Sequence, residues 1–100
     1  MIVQRFTYLV KRGCMPQIIE LLKPYTGKGT ITGNPARERT YTSSFGPSDM
    51  IVLDFEFENM DQLEKKWAEW LARPEVPTLF EKLDSLFVPG GSNEIWNLVE

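Results

Sequence analysis

The chain contains no histidine and one cysteine, Cys14. Without histidine there is no Ser-His-Asp or Cys-His nucleophile pair of the usual form, and no His-ligated zinc or haem. A lone thiol makes neither an intrachain disulfide nor a thiolate metal cage. No cofactor is expected. Long apolar runs are also missing, since none approaches the roughly 18–20 residues that cross a bilayer. At the N-terminus, Lys11 and Arg12 follow the apolar run, and Gln4, Arg5 and Thr7 interrupt it. A signal peptide has the reverse order, so a cytoplasmic location is expected by default. Basic charge is scarce too. Eleven Lys and Arg against 14 Asp and Glu leave a net charge of −3, with no footprint for nucleic acid or an anionic membrane. Lys11-Arg12 and Lys65-Lys66 read as solvated surface pairs.

What remains is an ordinary globular composition, 42% apolar and 25% charged over 100 residues, enough for a single domain spanning 1–100. The most informative stretch is Met50–Glu58, MIVLDFEFE. Successive strand side chains point to opposite faces, so Ile51, Leu53, Phe55 and Phe57 share one face. Met50, Val52, Asp54, Glu56 and Glu58 share the other, which turns acidic.

The remaining elements follow from periodicity and punctuation. Ile2–Val10 is a strand with Ile2, Gln4, Phe6, Tyr8 and Val10 on one face. Gly13 ends it, and Pro16 suits the first turn of a helix whose stripe is Met15, Ile18, Ile19 and Leu22. Thr26–Pro35, with three glycines, reads as a loop. Its Gly27-Lys28-Gly29-Thr30 lacks the strand-before, helix-after setting of a phosphate-binding loop. Arg37–Phe45 is expected as a strand, joined to the next by a Gly46-Pro47-Ser48-Asp49 turn as an antiparallel hairpin. Asn59 caps a helix, with Gln62 placed to reach back. That helix, striped by Met60, Leu63, Trp67, Trp70 and Leu71, ends before Pro74. A further helix from about Pro77 buries Val76, Leu79, Phe80, Leu83, Leu86 and Phe87. Pro89-Gly90-Gly91 ends it, and Glu94–Val99 is expected as the last strand.

Strand, helix, strand, strand, helix pair, strand is the ferredoxin-like βαββαβ order. It is an α+β protomer with a four-stranded antiparallel sheet and helices on one face. The second sheet face then carries apolar and aromatic groups beside carboxylates, a patch monomers avoid. A second copy, sheet facing sheet, covers it most economically. A homodimer is therefore expected.

From Arg39 to Glu100 the chain resembles the NIPSNAP-like members of the dimeric α/β-barrel superfamily. The matching features are the Tyr-bearing second strand, the Gly-Pro hairpin, the acidic-aromatic strand, the Trp-rich capped helix and the closing Ile95-Trp96. The resemblance implies two ferredoxin-like protomers closing an eight-stranded dimeric α/β barrel, often around a small-molecule cavity. It implies no particular reaction. Superfamily relatives include cofactor-independent monooxygenases of phenolic or quinol compounds, lactone isomerases and haem-degrading oxygenases. The last use a haem-ligating histidine, which this chain lacks.

Two readings of the polar groups follow. In one, Asp54 and Glu56 face a barrel cavity and one of them accepts a proton, while Arg5, Arg37, Arg39 and Tyr41 hold a ligand oxygen and Trp96 stacks on it. In the other, the same charges form a structural ion-pair cluster at the dimer seam. Trp67 and Trp70 lie on an apolar helical stripe and read as core. Cys14, just before a helix, reads as a plain thiol. The expected function is a homodimer binding a small molecule in the barrel cavity. The alternative is a cofactor-independent monooxygenase or isomerase acting on an aromatic or enolisable substrate, and a structural dimer with a filled barrel is a third class.

Overall fold

The computed structural model describes residues 1–44 and 49–99. Strand β1 spans Ile2–Val10, helix α1 Met15–Leu22, strand β2 Glu38–Thr42 and strand β3 Met50–Phe57. Helices α2 (Met60–Leu71) and α3 (Val76–Leu86) follow, then strand β4 (Phe87–Asn97). The four strands form one antiparallel sheet in the order β2-β3-β1-β4. This is the ferredoxin-like arrangement expected from the element order.

Sheet sidedness follows from the register. Ile2, Gln4, Phe6 and Tyr8 stand opposite Phe57, Phe55, Leu53 and Ile51, and directly paired residues share a face. That face carries the helices. Phe57 and Ile51 from the sheet, with Ile18 of α1 and Val76 of α3, are the largest fully buried side chains. The opposite face, with Val3, Arg5, Thr7 and Leu9 of β1 beside Met50, Val52, Asp54 and Glu56 of β3, carries no helix.

Local chemistry sets the helix ends. Asn59 is in extended backbone and its side chain accepts from the Gln62 N–H at 2.9 Å. Gln62 reaches back as expected, but to the N–H of Glu58 at 2.7 Å rather than to that of the cap residue itself. Prolines stand in the first turns of α1 and α3, where an N–H has no intrahelical partner.

Two expectations shift. Strand β2 is shorter than Arg37–Phe45, because Pro35–Arg37 closes a 3-10 turn capped by Asn34 and the strand begins at Glu38. Gly46-Pro47-Ser48 and Phe45 lie outside the described residues. The largest difference is at β4. Phe87 is the first residue of the strand rather than the last of the helix, and Pro89-Gly90-Gly91 lies inside the strand. Leu98 and Val99 follow it. Thr7 pairs with Ser92 and Leu9 with Val88, so Pro89, Gly90 and Gly91 together face only Tyr8 in a bulge. A Cβ on Gly91 would lie 2.2 Å from the Thr7 carbonyl oxygen, and its φ is +99°. Only glycine permits that approach.

Among the described residues no helix is long and apolar enough to cross a membrane.

Candidate functional site

A cavity of about 320 Å³ lies between the sheet and the helices. The sheet contributes Phe6, Tyr8, Leu53, Phe55 and Phe87 to its wall, and the helices contribute Trp67, Trp70, Leu79, Phe80 and Leu83. Tyr25, Thr26, Gly27 and Ile31 close it from the loop after α1. The volume is at the lower end of those that hold small molecules.

The aromatic wall has a defined order. Phe6, Phe55 and Trp67 meet edge-to-face in all three pairs, with centroids 5.4–6.0 Å apart and planes 75–81° to one another. Tyr8 lies parallel to Phe87 at 4.4 Å and to Phe6 at 6.0 Å. Trp70 takes Tyr25 edge-on at 5.1 Å, and the Arg73 guanidinium sits 5.2 Å from the Trp70 ring centre. The Trp67 indole N–H donates to the side-chain oxygen of Gln4, which is buried among apolar residues. The Gln4 amide nitrogen in turn donates to Asn93 Oδ1 at 3.0 Å. Trp67 and Trp70 are therefore packed as core and also line the cavity.

The loop over the cavity is pinned by one carboxylate. Glu38 stands opposite Phe55 on the helix side and is 6% exposed. It accepts from the backbone N–H of Gly29 (3.2 Å), Ile31 (3.0 Å) and Thr32 (2.8 Å), and from the Thr32 hydroxyl (3.0 Å). A buried carboxylate is tolerated when its oxygens are met this way. Sequence reasoning singled out neither Glu38 nor this loop contact. The available signal was alternation: if Arg39 faces Asp54, Glu38 must face the helices.

Further polar groups border the cavity without a side-chain hydrogen-bond partner among the described residues, Tyr8 and Asp84 of α3 among them. Burial pushes the Tyr8 phenol up from its ordinary value of 10, and the Asp84 charge adds to the rise. The hydroxyl therefore keeps its proton at neutral pH and is a donor.

The polar residues singled out in the sequence lie on the other face of the sheet. Across the four strands Glu94, Arg5, Asp54 and Arg39 stand in one row of alternating charge. Arg5 grips Asp54 with two bonds, Nε to Oδ1 at 2.8 Å and an Nη to Oδ2 at 2.9 Å. Those bonds first, and then the Asp54 charge, hold the guanidinium above its ordinary pKa. Arg39 bonds Glu56 at 3.1 Å. Tyr41 and Trp96 flank the row on the same face, 45% and 55% exposed. Arg37 sits apart in the 3-10 turn, 3.9 Å from Glu58. Asp54, Glu56, Arg5, Tyr41 and Trp96 do not border the cavity, and Arg39 meets it only at the β2 edge. Among the described residues no cluster of three metal-ligating side chains occurs.

No family model matches the chain, and no curated protein matches its sequence. Solved structures do match its fold. A NIPSNAP family protein from Agrobacterium tumefaciens superposes with a TM-score of 0.84 at 16% identity, covering 99% of this chain and 93% of that one. An uncharacterized NIPSNAP-like domain protein from Burkholderia xenovorans gives 0.83 at 19%, covering 98% and 84%. A putative antibiotic biosynthesis monooxygenase from Deinococcus radiodurans gives 0.69 at 13%, covering 100% and 94%. At such identities the likeness is one of fold. The chain is thus similar to these NIPSNAP-like proteins in its ferredoxin-like fold.

Proposed function

We propose that this protein binds an apolar small molecule in the cavity between its sheet and its helices, and that it does so as a homodimer. The observation that carries the binding reading is the cavity, about 320 Å³ and walled mainly by aromatic and aliphatic side chains. Interiors pack closely, with few voids larger than a water molecule, so a space of this size calls for an occupant. It lies on the opposite side of the sheet from the barrel cavity that the sequence led us to expect. The NIPSNAP resemblance leaves the chemistry open.

Leu53 projects into the cavity from β3 and supplies a test. Binding of naphthalene, followed by quenching of tryptophan fluorescence, is expected for the native chain and lost in Leu53→Trp, whose larger ring fills the space. Retention of the native circular dichroism confirms that the variant folds. Unchanged affinity in a folded Leu53→Trp would remove the cavity as the binding place.

The homodimer reading rests on the helix-free face. Val3, Leu9, Val52, Tyr41 and Trp96 form an apolar surface around the ion pairs Arg5–Asp54 and Arg39–Glu56, both made within the chain. Such a face is suited to burial, because its ions bring their own partners. Val52 stands at its middle, between Thr7 and Tyr41. Light scattering is expected to give twice the chain mass at micromolar concentration, and a single mass for Val52→Asp. A native monomer would contradict the dimer.

The alternative, a monooxygenase or isomerase with Asp54 or Glu56 as base, draws on likeness of fold alone. Both carboxylates are held by arginines and face away from the cavity.

A further inference from the structure

The charges around the cavity are lopsided. Two carboxylates border it, Glu38 and Asp84. Glu38 is occupied by the four donors of the loop, leaving Asp84 as the carboxylate without a partner among the described residues. The nearby cations are turned to other work. Arg39 reaches the cavity edge, but its guanidinium bonds Glu56 on the far face of the sheet. Arg73 packs on Trp70 and Tyr25, forms an ion pair with Glu75 at 2.6 Å and does not border the cavity. An anionic ligand would therefore meet an unopposed carboxylate and no free guanidinium.

Tyr8 borders the same cavity as Asp84. Its ring is fixed by parallel contact with Phe87 on one side and Phe6 on the other, and it lies opposite the Pro89-Gly90-Gly91 bulge. Its phenol senses the Asp84 charge, yet the two groups are not hydrogen-bonded to each other. An acceptor and a protonated hydroxyl thus border one apolar chamber, near enough for the phenol to sense the carboxylate. A hydroxyl or a neutral aryl amine can serve both groups, donating to the Asp84 carboxylate and accepting from the Tyr8 O–H.

We propose that Tyr8 and Asp84 form the head-group site of this cavity. It selects apolar ring compounds that carry a hydrogen-bond-donating hydroxyl or amine, and it rejects carboxylates and phosphates. The inference rests on the cavity being a binding site and adds what kind of molecule enters it. Asp84 is exposed as well as bordering the cavity, so its charge acts on a ligand in solution as well as in the bound state.

The test is a matched series, naphthalene, naphthol, naphthylamine and naphthoate, titrated at neutral pH against the native chain, Asp84→Asn and Tyr8→Phe. In the native chain naphthol and naphthylamine are expected to bind at least about 10-fold tighter than naphthoate. Asp84→Asn is expected to narrow that gap to within about 3-fold by removing the repelling charge. Tyr8→Phe should lower the ratio of naphthol to naphthalene affinity by about 5-fold, with native circular dichroism showing that the variant folds. Naphthoate binding as tightly as naphthol to the native chain overturns the inference alone, as does a gap that survives Asp84→Asn. A native chain that binds none of the series, naphthalene included, overturns the binding function itself.

Discussion

Glu38→Ala is expected to lower the stability of the chain by about 3–5 kcal/mol, read as a shift in the denaturant midpoint at constant slope. The reason is asymmetry between making a hydrogen bond and abandoning one. Ile31 and Thr32, 8% and 5% exposed, direct their N–H groups at the Glu38 carboxylate and have little water to turn to. Alanine removes the acceptor for both, for the Gly29 N–H and for the Thr32 hydroxyl. Glu38→Gln keeps the volume and one acceptor oxygen, so about half the loss should return. The same loop carries Ile31, Gly27 and Thr26 into the cavity wall, so naphthalene affinity should fall together with stability in Glu38→Ala. A loss below about 1 kcal/mol would mean that the loop is held by something other than this carboxylate.

Gly91→Ala should be comparably severe, costing about 3–5 kcal/mol. The added methyl would sit 2.2 Å from the Thr7 oxygen and 3.5 Å from the Tyr8 Cα, and the first of these is backbone that no rotamer change can move. Relief requires opening the β1–β4 ladder at the bulge. Gly13→Ala is the internal control. Gly13 also has a positive φ, +81°, but nothing lies within 4 Å of the added carbon. Its cost is the backbone penalty alone, about 1–2 kcal/mol. Equal losses for the two substitutions would show that conformation rather than collision governs position 91. Thermal unfolding followed by circular dichroism suffices for both.

These two residues also mark where sequence reading stops. The alternation in MIVLDFEFE is a strict two-residue period, and it placed Ile51, Leu53, Phe55 and Phe57 against the helices. Asn59, Pro16 and Pro77 act through their nearest neighbours in the chain, so their effects on the helices were legible as well. Pro89-Gly90-Gly91 was not. Proline and glycine punctuate both a chain stop and a bulge, and the difference lies in a distant strand, here Thr7 and Tyr8.

The site was the least legible part, for a related reason. Trp67, Trp70, Leu79 and Leu83 follow helical spacing whether they touch one another or surround a space. Periodicity reports the face and not the volume in front of it. Glu38 bonds to backbone N–H groups, which every residue but proline has, so no pair of side-chain types announced it. Asp84 sits among the polar positions of α3, where a carboxylate draws no notice. Asp54 and Glu56 drew attention because they interrupt an apolar strand, and the row of arginines and carboxylates across the sheet accounts for them.

One small contact ties these parts together. Gln4 lies in the middle of β1 with one end on the Trp67 indole and the other on Asn93 of β4. The cavity wall and the outer strand of the sheet are therefore joined through one amide. A molecule that turns the Trp67 ring must stretch that amide or carry it along, and a surface that shifts β4 does the same from the other end. By thermodynamic reciprocity, any such coupling has equal magnitude in both directions. A guest in the cavity and a neighbour on β4, both proposed above, would then change each other's affinity by the same factor.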